Sequence, residues 1–245
     1  MKNIVEYFSL PYDTKATKKL KTYLIENLNL KTNDKKIIKN YTKSITLHNI
    51  LSQSTINISK YEDEDIKYIE IYLIIIEVTS KDKIKQLSNI INSIFQKPLI
   101  IIFTYQNYTS INITPKRVNK ADTTKLVSQD YYFSSWIDLN NPTTTELQFL
   151  NKLNIKNHPF TNFYDFYKSY EKLIISFNAS KFSGKLTQKE NNKEILAKIE
   201  KLVSSINNTI AKIKKEDNIR EKVNLNIELK KLQNKLEEQK GKLWN

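Results

Sequence analysis

A run of β-branched and aromatic residues between Ile66 and Val78 constrains the fold of this chain more than any other feature. The run is too short to span a bilayer, so it predicts a central strand that is covered on both faces. A three-and-four spacing of apolar residues after Asp82 then predicts an amphipathic helix. Pro98 ends that helix, and the sequence LIIIF that follows predicts a second buried strand.

The order strand, helix, strand indicates two parallel strands joined by a right-handed crossover. The alternating segment 108–114 predicts a further strand that pairs back as a hairpin. The predicted fold class is therefore mixed α/β (α+β): a mixed β-sheet with a strand-helix-strand core, covering helices, and a C-terminal helical hairpin or coiled coil. The predicted domains are a globular domain over residues 1–178, a linker over 179–190, and the hairpin over 191–245.

Two lysine-rich segments precede the central strand, and residues 15–28 and 34–43 each predict an amphipathic helix. Two basic helices in succession would suit a helix-turn-helix variant that lies in a groove of DNA. We favour helices that cover the sheet and turn a charged face to solvent, because a run of charged residues usually lies on a solvent-exposed face. The candidate nucleic-acid-binding residues are Lys15, Lys18, Lys19, Lys35, Lys36 and Lys39.

The segment around His48 alternates weakly, which predicts an edge strand followed by a loop. His48 lies among Ile45, Leu47 and Ile50, so the pattern favours a packing residue over a metal ligand, since no second histidine is near. Residues 115–125 are polar and predict a loop.

The formal net charge of +14 is concentrated at the two ends. Residues 1–60 contain 11 lysines and four acidic residues, residues 61–150 contain nine basic and 11 acidic residues, and residues 151–245 contain 20 basic and 11 acidic residues. Cationic ends favour contact with nucleic acid or an acidic partner. An AT-rich genome would also supply this abundance of lysine. Arg117 and Arg220 are the sole arginines, which argues against bidentate recognition of phosphate or guanine.

Several classes of chemistry are excluded by composition. Cysteine is absent, so the chain has no thiolate zinc site, iron-sulfur cluster or disulfide. Gly184 and Gly241 are the two glycines, so a phosphate-cradling loop or a dinucleotide fingerprint is not available. We therefore predict no cofactor and no metal site. The amino terminus lacks the apolar core of a signal peptide and no run is long enough for a membrane span, so we expect a cytoplasmic protein.

Two apolar heptad repeats follow residue 190. Their registers do not match across residues 214–222, which predicts two helices with a break between them. The two apolar seams could zip onto each other, or they could bind a second copy of the chain or a different protein. The candidate partner-binding residues are Ile199, Leu202, Ile206, Leu225, Leu229, Leu232 and Leu236.

One enzyme class survives these exclusions. Glu77 interrupts the apolar strand near its end, where a buried carboxylate needs a reason. A Mg²⁺-dependent nuclease would use such a carboxylate together with a lysine. The lysine expected two positions later is replaced by Thr79, and Lys81 follows two residues further on. Glu77 and Lys81 are therefore candidate catalytic residues under this alternative, while a role without catalysis is favoured. Glu77 could instead lie at the solvent edge of the strand or pair with a lysine.

The order of the motifs resembles a known family. The motifs are Leu10-Pro11, the lysine-rich first helix, Thr55-Ile56-Asn57-Ile58, the long strand, the helix before Pro98, Ser134-Ser135-Trp136, and a Lys/Glu helical tail. Over nearly the whole chain they resemble the bacterial and archaeal family catalogued as domain of unknown function 4391. The resemblance implies a companion of a DNA methyltransferase or helicase in a restriction-modification or antiphage defence locus.

These observations together favour a non-enzymatic accessory or scaffold protein. We expect it to bind a protein partner, such as a helicase or methyltransferase, and also DNA through its basic ends. The C-terminal helices are a candidate contact for a homo-oligomer.

Overall fold

The computed structural model describes residues 3–187, 189 and 191–244. It divides into two compact units, residues 1–174 and residues 175–245. The predicted mixed α/β class is confirmed, because the chain contains a mixed sheet, covering helices and C-terminal helices that pack together.

The strands follow one another as β1 (Lys15–Lys19), β2 (Thr42–Leu51), β3 (Tyr61–Glu62), β4 (Lys67–Tyr68), β5 (Ile71–Val78), β6 (Leu99–Tyr105), β7 (Tyr108–Ile113), β8 (Lys116–Asn119), β9 (Asp122–Ser128), β10 (Tyr132–Phe133) and β11 (Ile137–Asp138). Seven of them form the central sheet, with the spatial order β1-β2-β5-β6-β7-β10, and β11 also pairs with β7. The pairs β3-β4 and β8-β9 form two small separate sheets.

The helices are α1 (Lys21–Glu26), α2 (Thr32–Tyr41), α3 (Gln53–Ile56), α4 (Ile84–Ile94), α5 (Thr144–Lys152), α6 (Phe163–Ser183), α7 (Asn192–Lys215) and α8 (Ile219–Trp244). Short 3₁₀ turns cover Ile4–Phe8, Tyr12–Thr14 and Ile155–Asn157. Within the described ranges, no helix combines the length and the apolar character that crossing a membrane requires.

The predicted strand-helix-strand core is confirmed. β5 and β6 are parallel, from the pair Tyr72 and Leu99 to the pair Glu77 and Thr104, and α4 connects them. β7 returns antiparallel to β6 as the predicted hairpin. One face of the sheet packs against α1, α2 and α4 because alternate strand residues point to the same side. The buried residues of this layer are Leu24, Ile38, Ile45, Leu47, Ile74, Ile76, Val78, Ile84, Leu87, Ile90, Ile91, Leu99, Ile101 and Phe103.

Tyr167 of α6 anchors that helix to the sheet. Its buried hydroxyl lies 2.7 Å from the carbonyl oxygen of Leu99 and accepts a 2.9 Å hydrogen bond from the backbone N–H of Thr114. These contacts satisfy backbone groups at the ends of β6 and β7, which would otherwise be buried without a partner. α6 is therefore tied to the sheet by hydrogen bonds as well as by apolar packing.

Two predicted elements at the sheet are wrong. Residues 15–19 form β1 and not the start of a helix, and α1 begins only at Lys21. β1 pairs with β2, so β2 lies inside the sheet and is not the predicted edge strand. Backbone hydrogen bonds to residues about thirty positions away override the weak helical spacing of a lysine-rich segment.

The predicted loop over residues 115–125 is also wrong, because most of it belongs to the hairpin of β8 and β9. In contrast, residues 32–41 form α2, close to the predicted second helix. The polar composition of residues 115–125 did not reveal that their backbones pair with each other, or that Lys116 and Val118 are buried.

The second unit is helical. α7 and α8 are separate helices that pack together, and the chain between them, residues 216–218, lies inside the predicted break. Their apolar cluster includes Ala179 from α6, so three helices contribute to it. The cluster contains Ala179, Ile195, Ile199 and Leu243, with Phe182, Val203 and Leu236 packed against it.

The predicted linker over residues 179–190 is partly helical. α6 continues to Ser183, and Gly184 ends it with a φ of 68°. Its backbone N–H donates to the carbonyl of Ser180 at 2.7 Å, as in helix ends that use a left-handed glycine. Residues 188 and 190 of the predicted linker lie outside the described residues.

Candidate functional site

A β-bulge places His48 at an irregular point of β2. Leu47 pairs with Ile74 and Asn49 pairs with Leu73, so two residues of β2 advance while β5 advances by one. His48 is the extra residue of this bulge. Bulges redirect side chains and recur beside functional sites.

A second irregularity lies in β1, next to the first. Lys15 pairs with Asn49 and Lys18 with Leu47, so β1 contains one residue more than the facing part of β2. Thr17 lies in this bulge with a φ of 48°, in the left-handed region. A β-branched residue is strained there, and such strain persists only where the surrounding structure holds it.

A chain of hydrogen bonds fixes the buried side chain of Asn49. The Thr14 hydroxyl donates to the carbonyl of Pro11 at 2.6 Å, and the Asn49 amide nitrogen donates to the Thr14 oxygen at 2.7 Å. The Asn49 amide oxygen lies 2.5 Å from Nδ1 of His48. Asn49 is only 4% exposed, so water does not compete for these groups.

The same chain determines the tautomer of His48. The one hydroxyl proton of Thr14 is donated to Pro11, so the Thr14 oxygen must accept from the amide nitrogen of Asn49. The amide oxygen of Asn49 therefore faces His48, and Nδ1 of His48 carries the hydrogen that it donates. In the neutral imidazole Nε2 is then an acceptor, and no group in the described chain donates to it.

His48 lines a cleft of about 300 Å³ together with Leu10, Pro11, Tyr12 and Lys15. The side chain of Tyr12 is 83% exposed, and the ammonium of Lys15 lies 5.9 Å from the centroid of its ring. The cleft thus combines an exposed aromatic face, a cation, the side chain of Glu6, an apolar wall and the ring of His48. This combination suits a flat polar ring that has an N–H group at its edge.

The predicted lysines extend from this cleft. Three lie on β1, where four of the five residues are exposed, and three lie on the polar side of α2. None of the six forms an ion pair with any carboxylate in the described ranges. The ammonium of Lys21 donates to the carbonyls of Lys39 and Thr42, which places the end of α2 beside the junction of β1 and α1.

Of the two interpretations of Glu77, the structure has the one in which it lies at the solvent edge of the strand and pairs with a lysine. Its side chain is 43% exposed and forms a 3.1 Å ion pair with Lys43. Its neighbours on the adjacent strands are Ser44 and Thr104, so no second carboxylate lies beside it in the sheet. A single carboxylate flanked by hydroxyl groups is a poor start for a magnesium site.

Lys81 has a different partner from Glu77. Its ammonium lies 3.1 Å from the ring centroid of Tyr108 and 5.4 Å from that of Trp136, a cation-π arrangement. The described residues contain no group of three or more histidine, aspartate or glutamate side chains placed to hold a metal ion.

The seven candidate partner-binding residues lie in α7 and α8, which pack together. Ile199 and Ile206 are buried, and the five leucines are half-buried. This arrangement corresponds to a helical hairpin whose two apolar seams pack against each other. Strongly exposed apolar residues on α8 are instead Ile219, Val223 and Ile227, which the heptad pattern did not identify.

Two further basic residues, Lys116 and His158, are buried and make contacts within the first unit. The ammonium of Lys116 donates to the carbonyls of Asn92 at 2.8 Å and Phe95 at 2.5 Å, and burial lowers the pKa of Lys116 to about 7. The ring of His158 stacks on Tyr170 at 3.7 Å, and burial lowers the pKa of His158 to about 4. Both side chains serve packing in the first unit.

Sequence reasoning missed Tyr12, Thr14 and Asn49 as members of a site. Each is an ordinary residue type in the sequence, and the bulges that gather them depend on strand pairing. The one local signal was the Leu10-Pro11 motif, which directs the chain into the turn that carries Tyr12.

The fold and the site define a mixed α/β protein whose central sheet ends in a cationic, bulged edge. The chain belongs to the family described as Domain of unknown function (DUF4391), whose model matches residues 8–236. Searches of curated proteins and of solved structures gave no match. The family resemblance predicted from the order of motifs is therefore confirmed.

Proposed function

We propose that the chain is a non-enzymatic accessory protein that binds nucleic acid through β1 and α2. The observation that carries this proposal is the set of six lysines without a carboxylate partner in the described residues, beside the exposed ring of Tyr12. Unpaired ammonium groups bind phosphates and release their counterions, which supplies most sequence-independent affinity. An exposed aromatic ring adds a face on which a base stacks.

The metal-dependent nuclease stays an alternative prediction with less support. Glu77 has no second carboxylate beside it in the sheet, and the ammonium of Lys81 lies over the ring of Tyr108. A helicase or methyltransferase partner in a restriction-modification or antiphage defence locus, and an oligomer contact through α7 and α8, also stay predictions.

The test measures binding of a labelled 20-nucleotide strand, as DNA and as RNA, over a series of salt concentrations. Replacing Lys15, Lys18 and Lys19 together by alanine should weaken binding at least tenfold. The slope of log affinity against log salt should also fall by roughly 0.7 for each lost phosphate contact on a single strand. A matched variant with Lys230, Lys231 and Lys235 of α8 replaced by alanine removes the same charge from another surface and should bind nearly as the parent does.

Two results would contradict the proposal. If the parent chain bound neither DNA nor RNA at low salt, nucleic-acid binding would be refuted. Equal losses in the two triple variants would show that net charge alone attracts the strand, and that β1 is not the contact surface.

A further inference from the structure

We infer that the cleft at His48 holds one unpaired nucleobase, so that the ligand class of the cationic edge is single-stranded nucleic acid. This inference rests on the proposed function and specifies it further. It depends on three features of the first unit: the acceptor atom of His48, the exposed ring of Tyr12, and the course of β1 away from the cleft.

The acceptor at Nε2 of His48 requires a donor on the ligand. The bonds from Asn49 to Thr14 and from Thr14 to Pro11 orient the amide oxygen of Asn49 toward Nδ1, so the neutral imidazole presents Nε2 as an acceptor. Nucleobases present N–H donors on their pairing edges, such as the amino group of adenine. In a duplex these edges are occupied by the opposite base, so the pairing edge is free only when the base is unpaired.

Tyr12 provides the stacking face for the same base. Its ring is 83% exposed, and the nearby ammonium of Lys15 keeps a cation beside the ring. Stacking on an aromatic side chain is tolerant of sequence because every base has a π-face. A base held between Tyr12 and the apolar wall of Leu10 and Pro11 would bring its edge toward His48, since all four residues line one cleft.

β1 then continues the path of the strand. Lys18 and Lys19 follow Lys15 along an exposed edge, at about 3.3 Å per residue, and can meet the phosphates that follow the bound base. A duplex would still contact these ammonium groups through its backbone, but it would leave the cleft empty. The surface should therefore bind both duplex and single-stranded nucleic acid, and it should bind the single strand more tightly.

The experiment compares three ligands at pH 8. The first is an oligomer of eight deoxyadenosines, the second is the same oligomer with N6,N6-dimethyladenine, which stacks but lacks the amino hydrogens, and the third is a duplex with the same number of phosphates. The parent chain should bind the first ligand at least fivefold more tightly than the second.

Four variants separate stacking from hydrogen bonding. Tyr12→Ala should weaken binding of the adenine strand roughly 5- to 150-fold and leave the duplex unchanged. His48→Ala should remove the preference for adenine over dimethyladenine, and His48→Gln should retain part of it because its amide oxygen can accept near the position of Nε2. Tyr23→Ala, which removes an exposed tyrosine outside the cleft, should bind as the parent does.

The outcomes distinguish the base-binding cleft from the proposed binding of nucleic acid by β1 and α2, on which it rests. Equal affinity of the parent for all three ligands, with no effect of Tyr12→Ala, would overturn the base-binding cleft and leave the cationic edge as a backbone-binding surface. Loss of every interaction in the parent would overturn both. The comparison of adenine with dimethyladenine uses the parent chain alone, so it decides the hydrogen-bond step even if a His48 variant fails to fold.

Discussion

The lysines of β1 and Lys116 of β8 show opposite uses of the same side chain in one unit. Lys15, Lys18 and Lys19 are exposed and have no acidic partner in the part of the chain that the structure describes. Lys116 is 1% exposed and donates its hydrogens to backbone carbonyls at the end of α4. A net charge of +14 therefore does not locate a binding surface, because each cation has first to be assigned to structure or to solvent.

Lys43 and Lys81 lie between these extremes. One is paired with Glu77 and the other lies over the ring of Tyr108. Each interaction is partly solvated, so each should be weaker than the contacts of Lys116. The lysines thus range from those held by contacts within the chain to those that are exposed to solvent. Measurements of stability and affinity test this ranking.

The largest effect is expected for Lys116. Its pKa is lowered from 10.5 to about 7 in the folded chain, so between these values the unfolded chain binds a proton that the folded chain lacks. The free energy of unfolding should therefore rise with pH above about 7, with a slope that approaches about 1.4 kcal/mol per pH unit from this one group. Urea denaturation at a series of pH values from 6.5 to 9.5 measures the slope.

The variant Lys116→Met isolates that contribution. It should reduce the rise of the unfolding free energy with pH. Lys120→Met, at an exposed lysine of the same hairpin, should leave that rise unchanged. An identical slope in the parent and in Lys116→Met would mean that Lys116 keeps its ordinary pKa despite burial. The contrast with the free lysines of β1 would then fail.

An intermediate effect is expected for Asn49, which supports the site beside the free lysines. Asn49→Ala leaves Nδ1 of His48 and the Thr14 oxygen without their buried partner, so the free energy of unfolding should fall by about 1–3 kcal/mol. Asn157→Ala, at an exposed asparagine, is the matched control and should cost less than about 0.5 kcal/mol. Thermal or urea unfolding of both variants checks this expectation, and equal losses would show that the chain of hydrogen bonds contributes no special stability.

The smallest effect is expected for Glu77. Its ion pair with Lys43 is exposed, so Glu77→Gln should change the free energy of unfolding by only about 0–1 kcal/mol. Affinity for single-stranded nucleic acid should not fall. Incubation with Mg²⁺ and DNA or RNA tests the remaining alternative, since cleavage by the parent that disappears in Glu77→Gln would establish the nuclease and remove the accessory role.

Some elements were predictable because their signals are local. The apolar runs of β5 and β6, the spacing of α4 and the position of Pro98 identify a buried parallel pair without knowledge of any distant residue. The break between α7 and α8 was equally visible, since two heptad registers that do not match cannot continue as one helix.

The site was less accessible to prediction. The lysines of β1 were identified, but they were placed on a helix, and the lysines of α2 were placed correctly. Glu77 was selected because it interrupts an apolar strand, yet its side chain reaches solvent at the strand end. Tyr12 and Asn49 were not selected at all, because the bulges that bring them together depend on strand pairing.

The sequence by itself determined that β5, α4 and β6 are buried, because burial there follows from the spacing of apolar residues along a short stretch of chain. The tertiary structure decided which lysines remain free, which strand lies at the edge, and where His48 points. These properties depend on β-bulges and on hydrogen bonds between residues distant in sequence, such as Asn49 and Thr14, and no local spacing encodes such pairings.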